Sequence, residues 1–254
     1  MFFDGERRLM ADVASERVLW RLVLYPLAGE AGGSVMGSTG PLRKARAGTI
    51  DPERAAEEAN RRARAQIRRY CAANLLNRLG TLTYAGEGCH DAVALRGHVA
   101  AFFRTLRRGL GGDSFPYVWV PQWHPGGHGL HAHFAVGRFV PRGLIERSWG
   151  HGFVHIKLLG DLPVGAGPLQ EARLAARYIS PYISRTVGEA RIPGLHRYEV
   201  AQGFQPQSID CYGPTLETAL GSACKVMGRP PSYVWGSSGE EGWNGPPAGW
   251  ARWD

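Results

Sequence analysis

Short runs in which apolar and polar residues alternate occur four times between residues 79 and 158, and stretches with helical spacing lie around them. A period of two predicts strands, and apolar residues three and four positions apart predict helices. The predicted strands are residues 79–84, 116–122, 130–136 and 153–158, and the predicted helices are residues 51–79, 91–110, 142–149 and 169–185. This order is typical of an α+β fold, a ferredoxin-like or RRM-like antiparallel sheet of about five strands with helices packed on one face.

The two ends of the chain differ from this central part. Residues 29–48 are rich in glycine and serine, which favours a flexible linker after a short N-terminal segment. Residues 236–254 lack a regular period, which favours a tail that becomes ordered on contact with a partner. The elements expected to extend the central sheet are a strand at 196–200, a helix at 215–227 and a strand at 232–235. The predicted division is an N-terminal segment 1–50, a domain 51–200 and a C-terminal extension 201–254.

Positive charge is concentrated in the middle of the chain. The net charge is +8, but residues 61–186 alone contain 17 Lys and Arg against 6 Asp and Glu. Neutralisation of phosphates supplies most of the affinity for nucleic acids, so this block favours a DNA-processing site. An arginine-rich surface that only serves solubility is the alternative. The candidate DNA-binding residues are Arg61, Arg62, Arg68, Arg69, Arg177 and Arg185.

Several classes of protein are disfavoured. No apolar run approaches the length of a membrane span, and the N-terminus lacks the features of a secretion signal, so we expect a cytoplasmic protein. The four cysteines have no Cys-x-x-Cys spacing, which favours free thiols over a zinc knuckle or a disulfide framework. No Gly-x-x-x-x-Gly-Lys-Ser/Thr motif occurs, so neither a nucleotide cofactor nor a built-in motor is expected.

The predicted strand 130–136 carries His131 and His133, which lie on one face because residues i and i+2 of a strand do. Gln122 on the preceding strand is a candidate third ligand, and His124 and His128 lie in the connecting turn. Two neutral imidazoles and one oxygen donor leave positions open for phosphate and water, which suits Mg²⁺ or Mn²⁺ acting as a Lewis acid. The alternative is an ordinary strand whose histidines pack in the core or face solvent.

Tyr178 and Tyr182 lie four residues apart on a predicted helix and therefore share one face. A phenol has a pKa of about 10 and becomes a good nucleophile only when a metal or a base activates it. Pro181 between the two tyrosines removes a backbone donor and is expected to kink the helix. Packing of both tyrosines against the core is the alternative.

Three segments in this order resemble the conserved motifs of the HUH endonucleases. They read Leu-Gly-Thr-Leu-Thr-Tyr-Ala from residue 79, Val-Pro-Gln-Trp-His-Pro-Gly-Gly-His-Gly-Leu-His-Ala-His-Phe-Ala-Val from residue 120, and Ala-Ala-Arg-Tyr-Ile-Ser-Pro-Tyr-Ile-Ser-Arg from residue 175. The closer resemblance is to rolling-circle replication initiators of actinobacterial plasmids and integrative elements. It extends over roughly residues 60–254 and includes the run from His196 to Pro206 and the tryptophan-rich end.

The resemblance implies a protein that nicks single-stranded or hairpin origin DNA, forms a 5′-phosphotyrosine intermediate and leaves a 3′-hydroxyl for a host polymerase, with a host helicase unwinding the duplex. His131 and His133 would be metal ligands. Tyr178 matches the first tyrosine of the third motif, and Tyr182 matches the second tyrosine of two-tyrosine relatives. We therefore predict Tyr178 as the nucleophile and Tyr182 as the alternate acceptor.

The sequence departs from these relatives at two positions. Many relatives have Glu where Gln122 stands, and an amide oxygen holds a hard cation more weakly than a carboxylate. Relatives often have Lys where Pro181 stands, which removes a partner for phosphate or phenolate unless Arg177 or Arg185 replaces it.

Other functions remain open at this point. A relaxase or transposase of the same superfamily would use the same residues. A non-catalytic protein that binds single-stranded nucleic acid on a similar sheet belongs to a different class. A zinc hydrolase built on the histidines would form no covalent adduct with DNA.

Overall fold

The chain folds into two compact units in a computed structural model that describes residues 19–36, 52–157, 167–185, 192, 194–243 and 246–254, without the side chains of residues 183–185. The larger unit is Ile50–Pro206, and the smaller unit joins Met1–Thr49 to Gln207–Asp254. None of the described helices is long and apolar enough to cross a membrane.

The described strands are β1 (Leu19–Tyr25), β2 (Glu30–Met36), β3 (Arg78–Tyr84), β4 (Tyr117–Trp123), β5 (Leu130–Val136), β6 (Gly152–Lys157), β7 (Glu199–Val200), β8 (Ile209–Gly213), β9 (Tyr233–Gly236) and β10 (Ala248–Arg252). The described α-helices are α1 (Pro52–Ala73), α2 (Ala92–Gly109), α3 (Arg142–Trp149), α4 (Pro168–Arg185) and α5 (Leu216–Met227).

The larger unit contains a five-stranded sheet in the order β6-β3-β5-β4-β7. Every neighbouring pair in it is antiparallel, which confirms the predicted α+β fold with an antiparallel sheet of about five strands. Strands β4 and β5 form the predicted hairpin, and its turn uses glycine where the backbone is left-handed, with φ of 80° at Gly127 and 74° at Gly129.

Helices cover both faces of this sheet, so the prediction of helices on one face was wrong. Residues of α2 and α3, such as Phe102 and Trp149, pack in one core with Phe134 of β5. Residues of α1 and α4, such as Ile67 and Ile179, pack in another core against the opposite face of the sheet. Each helix has its own apolar stripe to bury, and the two sheet faces together accommodate all four.

Helix α1 ends at Ala73 rather than continuing to residue 79 as predicted. The backbone reverses at Leu75, whose φ is 52°, and the Leu76 N–H donates to the Cys71 carbonyl at 2.9 Å. This is the bonding pattern of a left-handed helix cap. Such caps usually contain glycine, so a leucine in this position left no signal in the sequence. The predicted N-cap, Asp51, lies outside the described residues.

The smaller unit corrects the predictions for the two ends of the chain. Its sheet has the order β8-β1-β2-β10-β9, and α5 packs on it around Leu22, Leu24, Ala219 and Trp253. The expected linker therefore contains strand β2, and the expected tail contains strand β10 between β2 and β9. Helix α5 and strand β9 belong to this second sheet and do not extend the first one.

Glycines in these strands caused the error. A Cβ on Gly33 of β2 would lie 1.9 Å from the Arg21 carbonyl oxygen, and a Cβ on Gly249 of β10 would lie 2.4 Å from the Leu216 side chain of α5. Both glycines are required where a strand or a helix approaches closely, which is one established role of glycine inside strands. Their abundance in the sequence resembled the composition of a flexible linker.

Candidate active site

Three predicted residues meet on the face of the larger sheet that also carries α4. Gln122 of β4 lies opposite His131 of β5, and His133 follows two residues later on the same side. Gln122 Oε1 lies 2.8 Å from His133 Nε2 and 3.2 Å from His131 Nε2, and the two Nε2 atoms are 3.0 Å apart. These three atoms form the donor triangle.

The dimensions of the donor triangle fit a bound cation. Adjacent ligand atoms on an octahedral ion with bonds of about 2.1 Å lie about 3.0 Å apart, since the separation is the bond length multiplied by the square root of two. A tetrahedral ion with the same bonds would separate its ligands by about 3.4 Å. The observed separations of 2.8 to 3.2 Å match three adjacent positions of an octahedral ion such as Mg²⁺ or Mn²⁺.

The surroundings of the two imidazoles favour the neutral form that binds metals. Thr81 Oγ1 of β3 lies 3.0 Å from His133 Nδ1 and can fix the ring so that Nε2 faces the triangle. Burial, with a contribution from His124, lowers the pKa of His131 to about 4. His131 Nδ1 is buried and has no hydrogen-bond partner among the described groups. No group of three or more His, Cys, Asp or Glu side chains occurs in the described residues, since the third donor here is an amide.

Both predicted tyrosines lie beside the donor triangle. The Tyr182 ring stacks on the His133 ring with 3.5 Å between centroids and 10° between planes. The Tyr178 ring has the Lys157 ammonium 3.9 Å from its centroid. Helix α4 includes Pro181 within its bounds, so both tyrosines are on the same helix.

One cavity of about 180 Å³ connects these groups. Its polar lining comes from three strands and α4: Thr81, His133, His155, Lys157, Tyr178 and Tyr182. Thr81 lies opposite both His133 and His155 in the sheet, which places these three side chains in one row. The arrangement therefore puts two phenols, a cation and two imidazoles around a space large enough for a phosphate group.

Sequence reasoning missed His155, Lys157 and the role of Thr81. A signal was present, because Phe153, His155 and Lys157 occupy alternating positions of a predicted strand and so share one face. That β6 pairs with β3 was needed to bring this face to the histidines.

The predicted DNA-binding arginines whose side chains the structure describes do not line the cavity. Arg61 and Arg62 of α1 form ion pairs with Glu58 on the same helix. Arg68 and Arg69 are half-buried on α1, and Arg177 is exposed on α4. The side chain of Arg185 lies outside the described residues. Lys157, rather than Arg177, is the cation that the structure brings to a tyrosine.

The antiparallel sheet with helices on both faces places the larger unit among ferredoxin-like α+β proteins, with the fold expected for HUH endonucleases. Residues 77–187 match a family model described as a replication-associated protein of the ORF2 type. The matched segment contains the donor triangle, both tyrosines and strand β6. No curated protein and no solved structure matches the chain significantly.

Proposed function

We propose that this chain is a metal-dependent endonuclease that nicks single-stranded or hairpin origin DNA and starts rolling-circle replication through a phosphotyrosine intermediate. The observation that carries the proposal is the single cavity in which the ring of a triangle ligand, His133, contacts Tyr182 while Tyr178 lies on the same lining. The match to a replication-associated family over residues 77–187 supports the same function.

Gln122, His131 and His133 would hold Mg²⁺ or Mn²⁺ through the three atoms of the donor triangle. When bound, the ion would supply Lewis-acid polarisation of the scissile phosphate. Thr81 would keep the His133 ring oriented, and the neutral state of His131 would leave its Nε2 lone pair available for the ion.

Tyr178 would carry out the reaction with its phenolic oxygen. The phenol releases its proton to solvent, and its oxygen forms a bond to phosphorus as the bond from phosphorus to the 3′ oxygen breaks. The leaving 3′ oxygen takes a proton from solvent, so the products are a 5′-phosphotyrosyl protein and a free 3′-hydroxyl. A host polymerase would extend this end. Tyr182, on the same lining, would accept a second strand in rejoining.

The proposal is tested by denaturing electrophoresis of the protein with a library of random-sequence single-stranded DNA and Mn²⁺. We expect a covalent adduct in which mass spectrometry finds the DNA on Tyr178. Tyr178→Phe should lower adduct formation by about 10³-fold or more, since it removes the attacking oxygen while keeping the ring. Tyr198→Phe is a matched control, because that tyrosine is half-buried in the same unit and is not on the cavity lining.

Different outcomes separate the competing functions. An adduct that survives in the Tyr178→Phe, Tyr182→Phe double variant would overturn the assignment of the nucleophile. Cleavage without an adduct would indicate a hydrolase that uses water. Binding of DNA without cleavage in Mg²⁺ or Mn²⁺ would indicate a non-catalytic nucleic-acid-binding protein.

A further inference from the structure

Lys157 is the group in the cavity that the proposed reaction does not yet use. It is the last residue of the edge strand β6, and its side chain is exposed. Its ammonium lies 3.9 Å from the centroid of the Tyr178 ring, whereas Tyr182 stacks on His133. The two tyrosines therefore have different neighbours, a cation for one and an imidazole for the other.

The chemistry of the cavity suits an anion beside Lys157. Among the described residues, no carboxylate contributes to the cavity lining. Within the part of the chain that the structure describes, Lys157 forms no ion pair with Asp or Glu. An unneutralised ammonium next to neutral hydroxyl and imidazole groups attracts a phosphate oxygen or a phenolate, because each gains a charge-assisted hydrogen bond from it.

The sheet register places Lys157 within reach of a phosphate at the donor triangle. His155 is two strands away from His133 in one row, a separation of about 10 Å between backbones, and Lys157 is one further pair of residues along β6, about 7 Å. A lysine side chain extends about 6 Å from its Cα. Its ammonium and a cation on the donor triangle can therefore approach one phosphate group from two sides, with Tyr178 beside the ammonium.

We propose that Lys157 binds the phosphate that is cut and makes Tyr178, rather than Tyr182, the first nucleophile. The inference rests on the proposed nicking function and assigns its phosphate-binding cation. Charge on the attacking oxygen and on the phosphate develops beside Lys157 only when Tyr178 attacks. Cleavage through Tyr182, whose ring lies against His133, gains less from the same ammonium.

The test measures the rate of adduct formation under single-turnover conditions with a DNA sequence selected from the random library. Lys157→Met is placed in a Tyr182→Phe background, in which only Tyr178 can react, and in a Tyr178→Phe background. In the first we expect a loss of about tenfold to a hundredfold, as for removal of one charged transition-state partner, and in the second a change of about twofold or less. Lys157→Arg should restore most of the rate in the first background, because it keeps the charge.

Lys225→Met is the matched control, since this lysine is exposed on α5 in the smaller unit, and it should leave all rates unchanged. The inference is wrong if Lys157→Met slows both backgrounds equally, if it slows neither, or if Arg rescues no better than Met. If the unsubstituted protein and the Lys225→Met variant form no adduct either, the nicking function itself fails, and the inference fails with it.

Discussion

Replacing Gln122 by glutamate tests the donor triangle directly. The amide oxygen of Gln122 lies 2.8 Å and 3.2 Å from the two imidazole Nε2 atoms, and the residue is 8% exposed. Glutamate has the same length and shape, so Gln122→Glu changes the charge of one donor and little else. If a dication occupies the triangle, this substitution should strengthen its binding.

The expected gain is the difference between two opposing effects. Two unit charges about 4 Å apart attract by about 1 kcal/mol in water and about 4 kcal/mol at an effective dielectric constant of 20, and a dication doubles these values. Burial of the carboxylate costs several kcal/mol. A net gain of about 1.4 to 2.8 kcal/mol remains, which corresponds to binding about 10 to 100 times tighter. The metal-free variant should be less stable than the unsubstituted protein, because its buried carboxylate has no cation.

The assay is calorimetric titration with Mn²⁺, together with thermal melts in EDTA and in saturating Mn²⁺. Each tenfold gain in affinity adds about 1.4 kcal/mol to the stabilisation by metal, which should raise Tm by about 3 to 6 °C for a unit of this size. Gln202→Glu, at an exposed glutamine of the same unit, controls for net charge. Equal affinities of the Gln122→Glu variant and the unsubstituted protein for Mn²⁺ would refute a metal site at the donor triangle.

Two further predictions concern stability. In EDTA, the low pKa of about 4 at His131, against about 6.5 when unfolded, means that its contribution is complete above about pH 6.5 and is lost as pH falls towards 4. Urea denaturation at about pH 7 and pH 5 should differ by about 1 to 2 kcal/mol from this group, and the same drop in His131→Gln would contradict the reasoning. Trp253→Ala should destabilise the smaller unit by about 3 to 5 kcal/mol, because this side chain is fully buried and donates to the Arg229 carbonyl at 3.0 Å. Thermal melts by circular dichroism measure the loss; Trp243→Ala, at a residue 39% exposed, should be tolerated, and an unchanged melt in Trp253→Ala would mean that the end of the chain is not part of the core.

The elements of the larger unit could largely be predicted, because local periodicity and turn residues carry the information. The helix predicted at 91–110 is observed as Ala92–Gly109, and Asp91 caps it by accepting from the Val93 N–H at 2.8 Å. The boundary of α1 was wrong, because Leu75 adopts a conformation that its residue type does not favour. The ends of the chain were misread because composition alone does not distinguish a glycine in a linker from a glycine under a helix.

The sequence by itself determined which side chains could act together on one hairpin. Strand alternation puts His131 and His133 on one face, and the short turn between β4 and β5 brings Gln122 opposite them, so the donor triangle follows from local chain geometry. Only the tertiary structure decided that α4 lies over this face and that β6 joins β3, which adds both tyrosines and Lys157 to the cavity. It also decided that the two ends of the chain share one sheet. These contacts join segments far apart in sequence, and they depend on which apolar faces pack together, which no local pattern specifies.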